Sequence, residues 1–117
     1  MEPKFYQCKE CKATFLGLAG EPAGLEEMIA GTTDGAREKH IPVYEVNGST
    51  VSVTVGSVEH PMIAAHYIQW IALQTKKGIQ IAKLEPETPP KAEFALLPGD
   101  EVVAVYEFCN LHGLWKA

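Results

Sequence analysis

Residues 42–55 read PVYEVNGSTVSVTV, a pattern of strand, turn and strand. Apolar and polar residues alternate along Val51–Val55, which is the period of a β-strand with one buried face. The dipeptide Asn47-Gly48 stands before this run and is typical of a two-residue hairpin turn. The stretch therefore predicts a β-hairpin whose return strand buries its valine face.

Further short strands are predicted on the C-terminal side of this hairpin. Turn residues at Lys77-Gly78 and Pro98-Gly99-Asp100 separate them. Residues 63–75 also fit one face of a helix, but their Ile and aromatic content favours a strand. The remaining predicted strands are 78–84, 92–97 and 102–109. Strands at intervals of about ten residues predict an all-β chain folded as an antiparallel β-sandwich.

The first thirty residues have a different character. They contain Cys8, Cys11 and scattered glycines with little periodicity, and only a short strand around 13–18 is indicated. We interpret residues 1–30 as a short, loop-rich N-terminal arm.

Composition excludes several classes of function. The 117 residues carry 10 Lys+Arg against 15 Asp+Glu, a net charge of −5, and Arg37 is the single arginine, which argues against nucleic-acid binding. The longest apolar run, residues 102–106, is far shorter than the roughly 18–20 residues of a membrane span. The first residues lack the apolar core of a signal peptide, so we expect a cytoplasmic protein. Three cysteines are an odd number, which favours metal or redox use over a disulfide framework.

The candidate metal ligands lie at predicted strand ends or beside turn residues. They are His40, His60, His66, Cys109 and His112. Cys109-Asn-Leu-His112 has the spacing of a chelating turn. His60 and His66 would lie roughly 20 Å apart in a continuous strand, so a shared metal requires a bend between them. One thiolate with several imidazoles suits iron, zinc or copper, and the spacing does not choose among these metals.

Three motifs, in this order, resemble superoxide reductase, the neelaredoxin/desulfoferrodoxin family. They are Glu38-Lys-His-Ile-Pro42, then Gly56-Ser-Val-Glu-His-Pro-Met62 with His66-Tyr-Ile-Gln-Trp70, and finally Cys109-Asn-Leu-His-Gly-Leu-Trp115. The resemblance implies an immunoglobulin-like β-sandwich over residues 31–117, which agrees with the strand pattern.

The resemblance also implies the site and its reaction. The cofactor would be one mononuclear non-haem iron per chain, ferrous when active, with His40, His60, His66 and His112 as equatorial ligands and Cys109 as the axial thiolate. The reaction would be the one-electron reduction of superoxide to hydrogen peroxide, without release of dioxygen. Five protein ligands would leave a sixth position for the substrate. An electron donor such as rubredoxin is implied as a partner, and we expect a homo-oligomer.

The family also assigns catalytic roles to two residues that precede the first histidine. By resemblance, Lys39 supplies positive charge and holds water near the bound oxygen species, and Glu38 ligates the ferric iron after turnover. Without the resemblance, the two would be an ordinary solvated charge pair in a loop.

The N-terminal arm departs from the family pattern. Desulfoferrodoxins hold a second iron with four cysteines, a Cys-x-x-Cys pair and a later Cys-Cys pair. Cys8 and Cys11 match the first pair, whereas Leu18-Ala19 stand in place of the second. We interpret the arm as a degenerate, desulforedoxin-like module without metal; a reversible disulfide and a zinc site shared across a dimer are the alternatives.

Two other functions fit the same ligands. A non-catalytic iron electron-transfer protein would keep the ligands and block the substrate position. A structural zinc site would use a closed set of four ligands, whereas this chain offers five. Metal analysis with an optical spectrum of the oxidised protein separates these possibilities from a superoxide reductase.

Overall fold

The computed structural model describes residues 2–33 and 35–117, which form antiparallel β-strands and one short helix. The strands are β1 Lys4–Gln7, β2 Thr14–Gly17, β3 Glu26–Met28, β4 Pro42–Asn47, β5 Thr50–Val55, β6 Ile68–Thr75, β7 Ile79–Lys83, β8 Lys91–Ala95, β9 Val102–Cys109 and β10 Gly113–Lys116; the helix is α1 Arg37–His40. No helix among these residues has the length and apolar character that crossing a membrane requires. The all-β, antiparallel prediction is confirmed.

The chain divides into two compact units, Met1–Ala30 and Gly31–Ala117. The first unit is more regular than the loop-rich arm that we expected, because it contains a three-stranded sheet in the order β2-β1-β3. Phe5 and Tyr6 of its central strand are buried. A Cβ on Gly17 would lie 2.6 Å from the Tyr6 ring, so this strand position needs glycine. The sequence pattern missed β1 and β3 because strands of three or four residues are too short to show alternation.

The second unit is a sandwich of two antiparallel sheets, in the orders β10-β9-β6-β7 and β4-β5-β8. Both sheets contribute to a single apolar core. Its fully or nearly fully buried members are Val51, Val53, Val55, Ile68, Ile71, Leu73, Phe94, Val105 and Cys109. A predicted metal ligand, Cys109, is therefore also a member of the hydrophobic core.

The predicted hairpin is present as β4 and β5. Gly48 in its turn has φ of 60°, a conformation that glycine adopts without a steric cost. The three valines of β5 are buried and its other residues are half-buried, as the alternation predicts. The edge strand β4 is exposed along most of its length.

The register of β6 and β9 determines where the site forms. Ile68, the first residue of β6, pairs with Cys109, the last residue of β9. This pairing brings the loop before β6, which contains His66, next to the turn that follows Cys109. The loop after β5 is held to α1 because the Val58 N–H donates to the Glu38 carbonyl over 3.0 Å. The ends of both sheets thus supply the segments that carry the candidate ligands.

Candidate metal centre

Five potential ligands converge at this end of the sandwich. One ligand atom from each of His40, His60, His66, Cys109 and His112 lies within 4.8 Å of all the others. The four imidazoles form a closed ring in which successive centroids are 4.7 to 5.0 Å apart. His40 and His60 are buried, while the other two histidines are partly exposed. The structure thus brings together all five residues that the sequence predicts as ligands.

Hydrogen bonds to main-chain carbonyls determine the tautomers of two imidazoles. His40 Nδ1 lies 2.8 Å from the Ala36 carbonyl oxygen, and His60 Nδ1 lies 2.7 Å from the Pro61 carbonyl oxygen. Because a carbonyl oxygen only accepts, each Nδ1 carries the proton and each Nε2 carries a lone pair. The Nε2 atoms of His40 and His60 lie 3.0 Å apart. Two facing lone pairs repel each other unless a cation is shared between them, so the arrangement fits a metal ion.

The other two histidines direct nitrogens toward the same point. His66 Nε2 is buried and has no hydrogen-bond partner among the described residues. His112 Nδ1 lies 3.1 Å from His40 Nε2 and 3.9 Å from Cys109 Sγ. A buried polar atom without a partner is costly, and a metal ion in the ring of imidazoles would satisfy it.

A tight turn brings His60 and His66 close together. Main-chain hydrogen bonds of 2.9 and 3.1 Å join Ile63 and His66 in both directions. This turn returns the chain toward His60, and the two imidazole centroids lie 4.8 Å apart. The bend that the six-residue spacing required is therefore present, located at residues 63–66.

The side chain of Asn110 links the segment that carries His66 to the turn that follows Cys109 by hydrogen bonds. Its side-chain oxygen accepts the Tyr67 N–H over 2.9 Å, and its amide nitrogen donates to the Ala65 carbonyl over 3.1 Å. No sequence motif indicates this role. The only signal was its position inside the Cys-x-x-His turn, which does not show what an amide side chain bonds.

Cys109 is fully buried. Burial raises the pKa of its thiol, while main-chain N–H groups of Leu111 and His112 bond to the sulfur and act in the opposite direction. Without a cation the sulfur therefore keeps its proton, and metal binding must release that proton. The two N–H groups are placed to support the thiolate once it forms.

Burial keeps three of the imidazoles, those of His40, His60 and His66, in the uncharged form. Burial lowers the pKa of His60 to about 4, and the pKa values of His40 and His66 are lowered for the same leading reason. The positive charges of neighbouring imidazoles add to this effect. Near neutral pH these rings are uncharged, which is the form that binds a metal.

Two further residues form the wall beside His40. The Trp115 ring stacks on the His40 ring with centroids 5.0 Å apart, and Trp115 Nε1 donates to the His112 carbonyl over 2.9 Å. A Cβ on Gly35 would lie 3.1 to 3.2 Å from atoms of His40 and His112, so glycine leaves room for both rings. These contacts hold the imidazoles in position and were not foreseen for Gly35.

A buried carboxyl group influences the Cys109 thiol. Glu107, two residues before Cys109, is fully buried on β9, and neither of its side-chain oxygens has a partner among the described residues. Burial raises its pKa to about 9. Its charge would also raise the pKa of Cys109. Near neutral pH Glu107 is therefore a neutral carboxylic acid. No sequence pattern indicates this burial, because a glutamate in a strand usually faces solvent.

Lys39 and Glu38 differ in their relation to the imidazoles. Both residues are exposed on α1. The Lys39 ammonium contributes to the lowered pKa of His66 and of His40, so its charge acts on the centre. Glu38 is not a member of the five-ligand group, and its carbonyl oxygen accepts the Val58 N–H.

Comparison with known proteins gives a consistent result. The family model described as Desulfoferrodoxin matches residues 32–117. A desulfoferrodoxin of Nitratidesulfovibrio vulgaris is 52% identical over 103 residues, which cover 87% of this chain and 78% of that protein. A superoxide reductase of Thermococcus kodakarensis is 34% identical over 100 residues, covering 71% of this chain and 87% of that protein. The crystal structure of the superoxide reductase from Treponema pallidum is 45% identical with a TM-score of 0.88, covering 100% of this chain and 99% of that one.

Proposed function

The chain belongs to the desulfoferrodoxin family, and we propose that it is a superoxide reductase with one iron bound by His40, His60, His66, Cys109 and His112. The observation that carries the proposal is the convergence of five ligand atoms within 4.8 Å, four of them imidazole nitrogens and one a sulfur. Bound ferrous iron would supply the electron that reduces superoxide to hydrogen peroxide. Zinc in a structural site would need only four of these ligands.

The residues at the site would give it a local positive charge that attracts an anion. Neutral imidazoles and a single thiolate leave a net charge of +1 on a ferrous centre, and Lys39 adds a further positive charge beside His66. The protein as a whole carries −5, which repels an anion at long range. Capture of superoxide therefore depends on the local positive field at the centre.

The proposal is tested by metal analysis and by pulse radiolysis of the reduced protein. We expect about one iron per chain and second-order consumption of superoxide with peroxide, and no dioxygen, as product. Iron that is oxidised and reduced by chemical agents but does not consume superoxide would indicate an electron-transfer protein instead. Zinc as the bound metal would indicate a structural site.

An electron donor such as rubredoxin, a homo-oligomer, and an N-terminal unit that is a remnant of a desulforedoxin-like module stay predictions. Three unpaired cysteines are in keeping with the cytoplasmic location that we propose, since reducing compartments preserve thiols.

Replacing Lys39 with alanine should slow superoxide capture about tenfold, because a steering charge beside the centre is lost. The dependence of this rate on ionic strength should become weaker for the same reason. Pulse radiolysis at two salt concentrations measures both effects.

The matched control is Lys77→Ala, which removes an equal charge from the turn at the far end of β6. It should change the rate much less than Lys39→Ala. Equal rates and equal salt dependence in wild type and Lys39→Ala would make Lys39 an ordinary solvated residue.

Glu38→Ala should leave the reductive step unchanged or slightly faster, because the variant removes a negative charge near the route of an anion. Only the ferric product state should change, as seen in its optical spectrum. A slower reductive step in this variant would contradict the role that the family assigns to Glu38.

A further inference from the structure

The hairpin loop between β1 and β2 holds two thiols together. Cys8 and Cys11 both lie in this loop. The Cys8 N–H donates to the Ala13 carbonyl and the Lys12 N–H donates to the Cys8 carbonyl, both over 2.9 Å. Lys12 has φ of 64°, which turns the chain sharply after Cys11. The Cys11 N–H then donates to Cys8 Sγ over 3.3 Å. The loop is therefore built so that Cys11 faces the Cys8 sulfur.

The two thiols differ in reactivity. The side chain of Cys11 hydrogen-bonds to Cys8, and this bond, with main-chain N–H groups of the loop, lowers the pKa of the Cys8 thiol. Cys11 is exposed and Cys8 is partly exposed. A low-pKa, accessible thiol beside a second thiol is the arrangement that oxidants convert to a disulfide.

The surroundings of the pair do not favour a metal. Tetrahedral zinc and iron sites use four ligands. Within residues 2–33 and 35–117, the only group of three or more potential ligands is the five-residue centre of the second unit. A single chain thus offers two thiolates here and no third ligand in its described part.

We propose that Cys8 and Cys11 are a peroxide-oxidisable dithiol, with Cys8 as the attacking sulfur and Cys11 as the resolving thiol. The Cys8 thiolate attacks one oxygen of hydrogen peroxide, the O–O bond breaks, and the departing hydroxide takes a proton to become water. Cys11 then attacks the sulfenic sulfur of Cys8, the S–S bond forms, and the S–O bond breaks to give a second water. In total, two thiols and one peroxide give one disulfide and two waters.

This inference rests on the proposed function for its oxidant, since a superoxide reductase produces hydrogen peroxide at a centre in the same chain. Reduction back to the dithiol requires a cellular dithiol reductant, by thiol–disulfide exchange. The pair would thereby consume part of the peroxide that the metal centre produces.

The test uses the full-length, iron-loaded protein, reduced and then freed of reductant without air. Hydrogen peroxide is added in small excess, the reaction is stopped with catalase, and free thiols are counted by alkylation and mass spectrometry. In wild type we expect both thiols to be lost together, with the mass falling by two hydrogens. Loss of the remaining thiol in Cys8→Ser should be about tenfold slower. In Cys11→Ser, the oxidation should stop at a sulfenic acid that dimedone traps.

A second arm replaces added peroxide with superoxide and an electron donor. If the disulfide forms with added hydrogen peroxide but not with superoxide and a donor, the two thiols are an oxidisable pair. In that case peroxide from the metal centre is not their oxidant. If the wild-type thiols are lost no faster than the remaining thiol of Cys8→Ser, the proposal that Cys8 is the attacking sulfur of a dithiol is wrong. A stoichiometric metal that copurifies with wild type and is absent from the double variant Cys8→Ser/Cys11→Ser would also overturn the proposal.

The double variant also tests the independence of the two sites. It should reduce superoxide at the wild-type rate and keep its single iron, because neither cysteine belongs to the five-ligand group. A slower rate or a second lost metal would show that the two thiols act in the metal centre or in a site of their own.

Discussion

Replacing Cys109 with serine should abolish the thiolate-to-ferric charge-transfer band that we expect of the oxidised wild-type protein. The imidazoles and the main-chain N–H groups that face the sulfur remain in place, but a serine hydroxyl does not ionise as a thiol does. Serine is close in size to cysteine, so the sandwich should still form. Burying a serine hydroxyl in the core in place of the thiol costs about 1–3 kcal/mol, which is less than the stability of a typical domain.

Three measurements check this expectation: the optical spectrum, the iron content and the far-ultraviolet circular dichroism. Cys8→Ser is the matched control, because it removes a thiol from the other unit and should keep the band. An iron-loaded wild-type protein with no such band would exclude Cys109 as a ligand. Persistence of the band in Cys109→Ser would exclude it equally.

Replacing Glu107 with glutamine should remove a steep dependence of stability on pH. The pKa of Glu107 is raised to about 9 in the folded protein, against 4.5 for the unconstrained group. The folded state therefore binds more protons between these values, and the free energy of unfolding falls as pH rises through this window. The slope from this one group is about 1.4 kcal/mol per pH unit, or about 3 kcal/mol between about pH 6 and about pH 8.5. Glutamine does not titrate, so this part of the slope disappears.

The measurement is denaturant unfolding at both pH values with equal metal content in all proteins. We expect wild type and Glu107→Gln to differ more at the higher pH, with the variant the more stable of the two there. Glu93→Gln, which removes an exposed carboxylate from β8, should follow wild type. Parallel pH dependence of Glu107→Gln and wild type would show that the buried carboxyl finds a partner in solution.

The features that the sequence predicted well are those with a strong local signal. The hairpin at Asn47-Gly48 and the strand 102–109 follow from turn chemistry and alternation, which depend only on neighbouring residues. The five candidate ligands could be named because histidine and cysteine are rare, and because their motifs resemble a known family. Their convergence could not be derived, since it depends on the pairing of Ile68 with Cys109 across two strands.

The features that were missed depend on tertiary contacts. Asn110 is unremarkable in sequence, and its bonds to residues 65 and 67 exist only after β6 and β9 have paired. The burial of Glu107 contradicts the usual exposure of glutamate, so no pattern rule identifies it. The tautomers of His40 and His60 depend on the main-chain carbonyls at Ala36 and Pro61, which a sequence does not locate.

The spread of the ligands along the chain has a consequence for how the protein acquires its metal. His40 and His112 are separated by 72 positions, whereas Cys109 and His112 are separated by only three. An unfolded or growing chain therefore offers a metal only local pairs, such as Cys109 with His112 or Cys8 with Cys11, and gathering the distant histidines costs loop-closure entropy. The complete set exists only after non-local strand pairing, which is a slow class of folding event. Metal loading should thus follow folding, and the folded pocket, not the nascent chain, decides which metal is kept.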